Sequence, residues 1–197
     1  MRLALALGTF LLLVFTQASA QDFQKGWKAS QVGDYVTAMK EWEPLAKKGN
    51  ATAQYNLGWI YDRGKGVIQD YAEAVKWYLL SANQGYPSAQ NSLGVMYYQG
   101  NSVLKDYAEA VKWYRLSAEQ GDPKAQNNLG LMYYAGQGVL KDNLTAHMWL
   151  NIASANGHDG AGKNRDDIAA KMTAEDISKA TAIARECVKR NYKNCGY

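Results

Sequence analysis

The sequence predicts an all-α protein assembled from repeated helix-turn-helix units, and three observations carry that expectation. Residue types recur every 36 positions: Gly49, Gly85, Gly121 and Gly157; Asp34, Asp70, Asp106 and Asp142; Ala38, Ala74, Ala110 and Ala146. Residues 53–88 and 89–124 agree at 22 of 36 positions. Inside each block, two runs of helically spaced apolar residues flank a Gly-containing loop. A period of this length means that each block is one supersecondary unit, burying its apolar face against its neighbours.

Composition agrees with a globular chain. Of 197 residues, 47% are hydrophobic and 20% charged, which excludes disordered, collagenous and disulfide-scaffold classes. The net charge of +4 is mild and no basic run stands out, so nucleic acid is not an expected partner. The 14 Tyr and 6 Trp against only 3 Phe are the unusual feature. Aromatic side chains with a polar handle fill cores that have one end near water, or they line recognition surfaces.

Residues 1–20 read as a signal peptide: the positive start Met1-Arg2, the apolar run Leu3 to Phe15, and the small-residue site Ala18-Ser19-Ala20. The run is too short for a membrane span, which needs ~20 apolar residues. Cleavage leaves Gln21 first, with no cysteine there to carry a lipid. No second apolar span comes later, so no stable membrane insertion is expected after cleavage. The expected destination is the periplasm, or the exterior of the cell.

Residues 21–52 form a degenerate first repeat. Asp34, Ala38, Ala46 and Gly49 keep the register, but the loop before Asp34 is about four residues shorter. Pro44 falls inside its second helix and should kink it. In repeat 53–88 a first helix spans Ala53 to Arg63, followed by the loop Gly64-Lys65-Gly66. Asp70 caps the second helix, with Glu73 three residues on. That helix runs through Ala74, Trp77, Tyr78 and Ala82, and Gly85 ends it. Leu57, Tyr61 and Trp77 stand at positions repeated for packing, and Trp77 is expected to be buried.

Repeat 89–124 copies the arrangement with Asp106 and Glu109, and Asp122-Pro123 opens the next first helix. In repeat 125–160, Asn143-Leu144-Thr145 replaces Tyr-Ala-Glu and loses the acidic partner of the cap. Gly58 and its equivalents lack a side chain in mid-helix. That costs ~1 kcal/mol against Ala, so close helix-helix approach is the expected compensation. Residues 161–197 break the pattern; Thr173 and Asp176 mark a helix start, and that helix should shield the last repeat. Cys187 and Cys195, eight apart, are expected to form a structural disulfide in an oxidising compartment.

The strings AQYNLGWIYDRGKGVIQDYAEAVKWYLLSANQG, AQNSLGVMYYQGNSVLKDYAEAVKWYRLSAEQG and AQNNLGLMYYAGQGVLKDNLTAHMWLNIASANG, together covering 53–157, resemble the Sel1-like repeat family, relatives of the tetratricopeptide repeats. The resemblance implies an α/α solenoid, a superhelix of helix pairs, whose concave face binds other proteins.

Residues suited to catalysis are sparse. The only histidines are His147, at a packing position, and His158, in the turn after Gly157 where a helix-start role is expected. There is no H-E-x-x-H, no G-x-S-x-G, no phosphate-binding glycine loop and no Cys with a His partner. No cofactor or metal is called for, and the expected function is non-enzymatic. The first helices are more informative. At about 100° per residue, positions 3, 7 and 10 of each form one stripe. It reads Tyr55, Trp59 and Asp62; Asn91, Val95 and Tyr98; Asn127, Leu131 and Tyr134.

A face pointing to water should be charged, and this one is aromatic, amide and aliphatic. One explanation is that the stripe packs on the next repeat or under the termini; the other, preferred, is a groove for a protein or peptide partner. The expected role is therefore an exported scaffold or adaptor. A cell-wall-related hydrolase or ligand-binding protein of the envelope is the alternative, and a cleft holding a strongly shifted carboxylate would mark it.

Overall fold

A computed structural model describes residues 20–195, so the expected leader lies outside them but for Ala20. Among the described residues there are ten helices and no strand: α1 (20–31), α2 (Tyr35–Lys47), α3 (Ala51–Arg63), α4 (Tyr71–Asn83), α5 (Pro87–Gln99), α6 (Tyr107–Ala118), α7 (Pro123–Ala135), α8 (Asn143–Ala155), α9 (Ala161–Ala169) and α10 (Ala174–Lys189). The chain divides into two compact units, one up to Ser81 and one from Ala82, with the division in the last turn of α4. Each is taken by itself.

The helix starts follow from their caps. Asp70 accepts from the backbone N–H of Ala72 and Glu73, and Asp106 from Ala108 and Glu109, satisfying donors that a helix start leaves orphaned. The acidic residues do not close the cap as expected. Glu73 and Glu109 instead take the ammonium groups of Lys76 and Lys112, one turn on. Where the third helical residue is Thr145, its hydroxyl donates to Asp142 at 2.6 Å, so the last repeat closes the cap by another route. The second helices α2, α6 and α8 give way to Gly49, Gly121 and Gly157 one or two residues beyond their caps, each at a φ of 87–94° that only glycine adopts without steric cost. α2 continues through Pro44.

The mid-helix glycines are explained by what lies on them. A Cβ on Gly58 would stand 2.6 Å from the Tyr78 ring, on Gly94 2.5 Å from Tyr114, and on Gly130 2.8 Å from Leu150. The first and second helices of a repeat meet there, with the ring or leucine seated against bare backbone. Gly26 on α1 receives Trp42 in the same way, which brings the first repeat into the pattern once its shorter loop is allowed for. The residue at the seam is therefore Tyr78, fully buried, whereas Trp77 is only half-buried against the core of Trp42, Leu57 and Ile60. The recurrence of tryptophan points to Trp77 for that role; the adjacent residue takes it because its ring faces the glycine.

Buried glutamines fasten each first helix to the second helix before it. Gln54, Gln90 and Gln126 donate to the carbonyls of Ala46, Ala82 and Ala118, at 3.0, 3.2 and 3.1 Å. Those carbonyls lie at helix C-termini and also accept from the backbone N–H of Gly49, Gly85 and Gly121, so each glutamine adds a second donor that ties the two helices together.

The expected break at residue 161 is not where the pattern ends. Ala161 follows Ala125 by 36, and α9 starts there and packs on α8 with Ala161 and Ile168 buried. Two helices rather than one thus close the array: α9 as a shortened further first helix, then α10, capped by Thr173 through Asp176 N. Cys187 and Cys195 are joined, and both are buried. In the loop they close, Tyr192 donates to Asn156 at 3.2 Å and covers Gly121.

Candidate partner-binding face

In the first unit α3 presents Tyr55, Trp59 and Asp62. Trp59 leans on Tyr35 with ring centroids 5.8 Å apart, and Tyr55 lies at the same distance from Tyr78. The Asp62 carboxylate accepts from the Tyr78 hydroxyl at 3.4 Å and stands 3.5 Å from Arg63. Burial raises its pKa, against the opposing pull of Arg63 and Tyr78. Tyr55 and Trp59 line a cleft of about 230 Å³ with Trp27, Tyr35, Trp42 and Asn56, and Asp62 is not part of its wall.

Trp27 belongs to the stripe as well, although a uniform step of 36 does not reach it. That step from Trp59 lands on Phe23, but the four-residue-shorter loop moves the equivalent position to Trp27. The dipeptide Gly26-Trp27 against Gly58-Trp59 is the signal that reveals it.

In the second unit α5 carries Asn91, Val95 and Tyr98, and α7 carries Asn127, Leu131 and Tyr134. Four of these, Val95, Tyr98, Leu131 and Tyr134, line one cleft of about 380 Å³ together with Tyr114 and Asn128. Tyr98 and Leu131 are 39% and 36% exposed, open enough to meet a partner. The asparagines turn inward. Asn91 accepts from Asn128 at 3.1 Å, and Asn127 accepts from Asn164 of α9 at 3.0 Å. Asn127 is only 6% exposed, so at that position the stripe is covered by the closing helix. Tyr134 accepts a hydrogen bond from Lys171, whose ammonium lies 5.0 Å from the ring centroid, while Lys141 lies 5.4 Å from it.

His147 is buried, its Nδ1 unpartnered, and burial holds its pKa below the ordinary histidine value, with Arg165 adding to the effect. His158 accepts from Gly160 N at 3.3 Å just ahead of α9. Among the described residues no group of three or more His, Cys, Asp or Glu is placed to hold a metal ion. No described helix is long and apolar enough to cross a membrane.

Helix pairs in register, closed by α9 and α10, define an all-α repeat scaffold of the α/α solenoid class. Residues 51–86, 87–122 and 123–158 each match the Sel1 repeat, and the chain belongs to that family. Sel1 repeats in general mediate protein interactions. Among solved structures the chain is similar to a protective antigen of uropathogenic Escherichia coli with an SLR fold: 37% identity, TM-score 0.70, over 79% of this chain and 34% of that one. It is similar also to a Sel1 repeat protein from Oxalobacter formigenes: 34% identity, TM-score 0.69, over 73% of this chain and 59% of that one. The chain thus spans less than two thirds of either. No curated protein matches it significantly.

Proposed function

We propose that the chain is an exported, non-enzymatic adaptor that holds a protein or peptide partner on its first-helix stripe. The observation that carries this reading is that stripe positions open into clefts. Val95, Tyr98, Leu131 and Tyr134 do so in the second unit, and Tyr55 and Trp59 in the first. Each cleft is lined by neutral aromatic, aliphatic and amide side chains, the chemistry of a desolvated anchor pocket. Export is supported by the charged start, apolar run and Ala18-Ser19-Ala20 of the sequence, and by the closed Cys187–Cys195 pair.

The test is a pull-down from envelope extract, comparing wild type with the Trp59→Ala, Tyr98→Ala double variant. A partner held by wild type and lost from the folded double variant is the expected result; equal capture by both sinks the reading. Intact mass of envelope-extracted protein should begin at Gln21, and retention of Met1 to Ala20 would remove the argument for export by cleavage.

A further inference from the structure

An amide ladder along the stripe breaks in the first unit, and the break opens onto the aromatic cleft. In the second unit the fourth residue of a first helix donates to the third residue of the one before: Asn128 to Asn91, and Asn164 to Asn127. The register fixed by Gly26 on Trp42 and Gly58 on Tyr78 places Phe23 where Asn56 would find its acceptor. A phenyl ring offers none. Asn56 Nδ2 is accordingly enclosed without a hydrogen-bond partner while its residue lines the cleft. A donor so placed is unfavourable unless something accepts from it.

We propose that this cleft binds a proline-rich segment of a partner protein in the polyproline II conformation. The inference rests on the reading of the stripe as a partner-binding face and names the partner's chemistry. Two indoles, Trp27 and Trp59, stand at the same stripe position of successive first helices, with Tyr35 and Tyr55 completing the walls. Trp27 is 48% exposed, a large apolar surface left for a ligand. Pro-rich segments dock in aromatic-lined grooves with little loss of entropy, because their conformation is set beforehand. Their carbonyls make no internal hydrogen bonds and accept freely, whereas proline has no N–H to satisfy. Asn56 lines the cleft, and its enclosed Nδ2 becomes the matching donor when the side-chain amide turns toward the ligand.

Two other ligands suit aromatic walls less well here. A quaternary ammonium needs an electronegative cage, and the Lys65 ammonium already lies 5.9 Å from the Tyr35 ring centroid, with no carboxylate in the lining. A sugar stacks on indoles but needs several polar partners for its hydroxyls. The Trp42 indole N–H already donates to the Phe23 carbonyl and the Ser30 hydroxyl to the Trp27 carbonyl, which leaves the amides of Gln31 and Asn56 to meet a ring of hydroxyls.

The experiment titrates the full chain with acetyl-nonaproline amide, a Gly-Ser peptide of equal length, tetramethylammonium and chitotetraose. Tryptophan fluorescence and the side-chain amide signal of Asn56 by NMR are the readouts. The expected result is saturable binding of the proline peptide alone, with movement of the Asn56 signal. Affinity should fall ~10-fold or more in Trp27→Ala and by a smaller factor in Asn56→Leu, and should be unchanged in Leu104→Ala, at an exposed loop residue outside the stripe. Thermal melts confirm that the variants fold, and the wild-type NMR shifts read the site if Trp27→Ala does not. Tighter binding of the glycan or the ammonium, equal binding of the Gly-Ser peptide, or no saturation at ~1 mM proline peptide overturns the proposal. If the proline peptide fails while Trp59→Ala, Tyr98→Ala still loses its envelope partner, only this inference falls. If the peptide binds and no partner depends on the stripe, the adaptor reading falls instead.

Discussion

The inner side of each first helix is nearly the same in every repeat, whereas its opposite side changes from one repeat to the next. On the inner side Gly58, Gly94 and Gly130 each receive one large side chain, and Leu57, Leu93 and Leu129 are fully buried. On the outer side position 7 is Trp59, then Val95, then Leu131, and position 3 passes from half-buried Tyr55 to enclosed Asn127. Packing within a repeat imposes one solution wherever the repeat occurs. The outer side answers to the next segment of the chain, or to a partner. Mutations on the two sides should separate accordingly.

The largest effect belongs to the seam. Tyr114→Ala should cost ~3–5 kcal/mol of stability, since it empties the space over Gly94. Leu131→Ala, at an open stripe position, should cost well under ~1 kcal/mol. Denaturant unfolding of the two reads the contrast directly, and comparable losses would erase the distinction between the sides.

Next comes the loop that ends at the cap. Gly66, Ser102 and Gly138 are equivalent, and all three have positive φ. A Cβ on Gly138 would overlap the Tyr107 carbonyl oxygen, so Gly138→Ala should cost ~2–4 kcal/mol. Ser102 bears a side chain at φ 56°, and Ser102→Gly should gain up to ~1 kcal/mol. Opposite signs in thermal melts are the expected outcome.

Removing the disulfide by Cys187→Ser, Cys195→Ser should lower stability by ~2–3 kcal/mol while partner affinity stays within about twofold. Loss of affinity in a protein that remains folded would assign the pair a role on the binding side. In Trp59→Ala, by contrast, affinity should fall by ~2 kcal/mol and stability by less, because the ring is a half-buried anchor leaning on Tyr35.

The smallest effect is a pH dependence. Burial holds His147 neutral in the fold below the ordinary value of 6.5, so as pH falls past about 6.5 the unfolded chain takes up the proton first. Stability should therefore decline from that pH downward and be fully present above it. His147→Gln should flatten the decline in melts run from pH 7 to pH 5.

Most of the inner side was legible because identity recurs there: Leu57, Gly58 and their equivalents repeat at a fixed step, and periodicity finds them without coordinates. The seam residue Tyr78 was hidden behind Trp77, because its position changes to Leu150 in the last repeat while the tryptophan does not change. Trp27 was hidden by a loop four residues shorter, which shifts the frame just where the cleft forms. α9 was hidden because Gly162 and Arg165 replace the glutamine and leucine of earlier repeats, although Ala161, Asn164 and Ile168 keep their places. The enclosure of Asn127 was not legible from its own repeat at all. It depends on Asn164 in the succeeding helix, and repetition says nothing about the chain beyond the last copy.

The glutamines that reach back eight residues carry a consequence for how such a chain lengthens. Gln90 and Gln126 each bring, inside their own repeat, a second donor for the Ala82 or Ala118 carbonyl at the end of the preceding helix, which already accepts from the N–H of Gly85 or Gly121. A 36-residue segment duplicated in tandem therefore arrives with its own fastening and leaves a fresh carbonyl ready for the next copy. Copy number can rise or fall by whole units with every such carbonyl still paired. A deletion that removes only the glutamine-bearing turn leaves that carbonyl with its glycine N–H alone and unfastens the two helices, so tandem duplication is the change in length this architecture tolerates best.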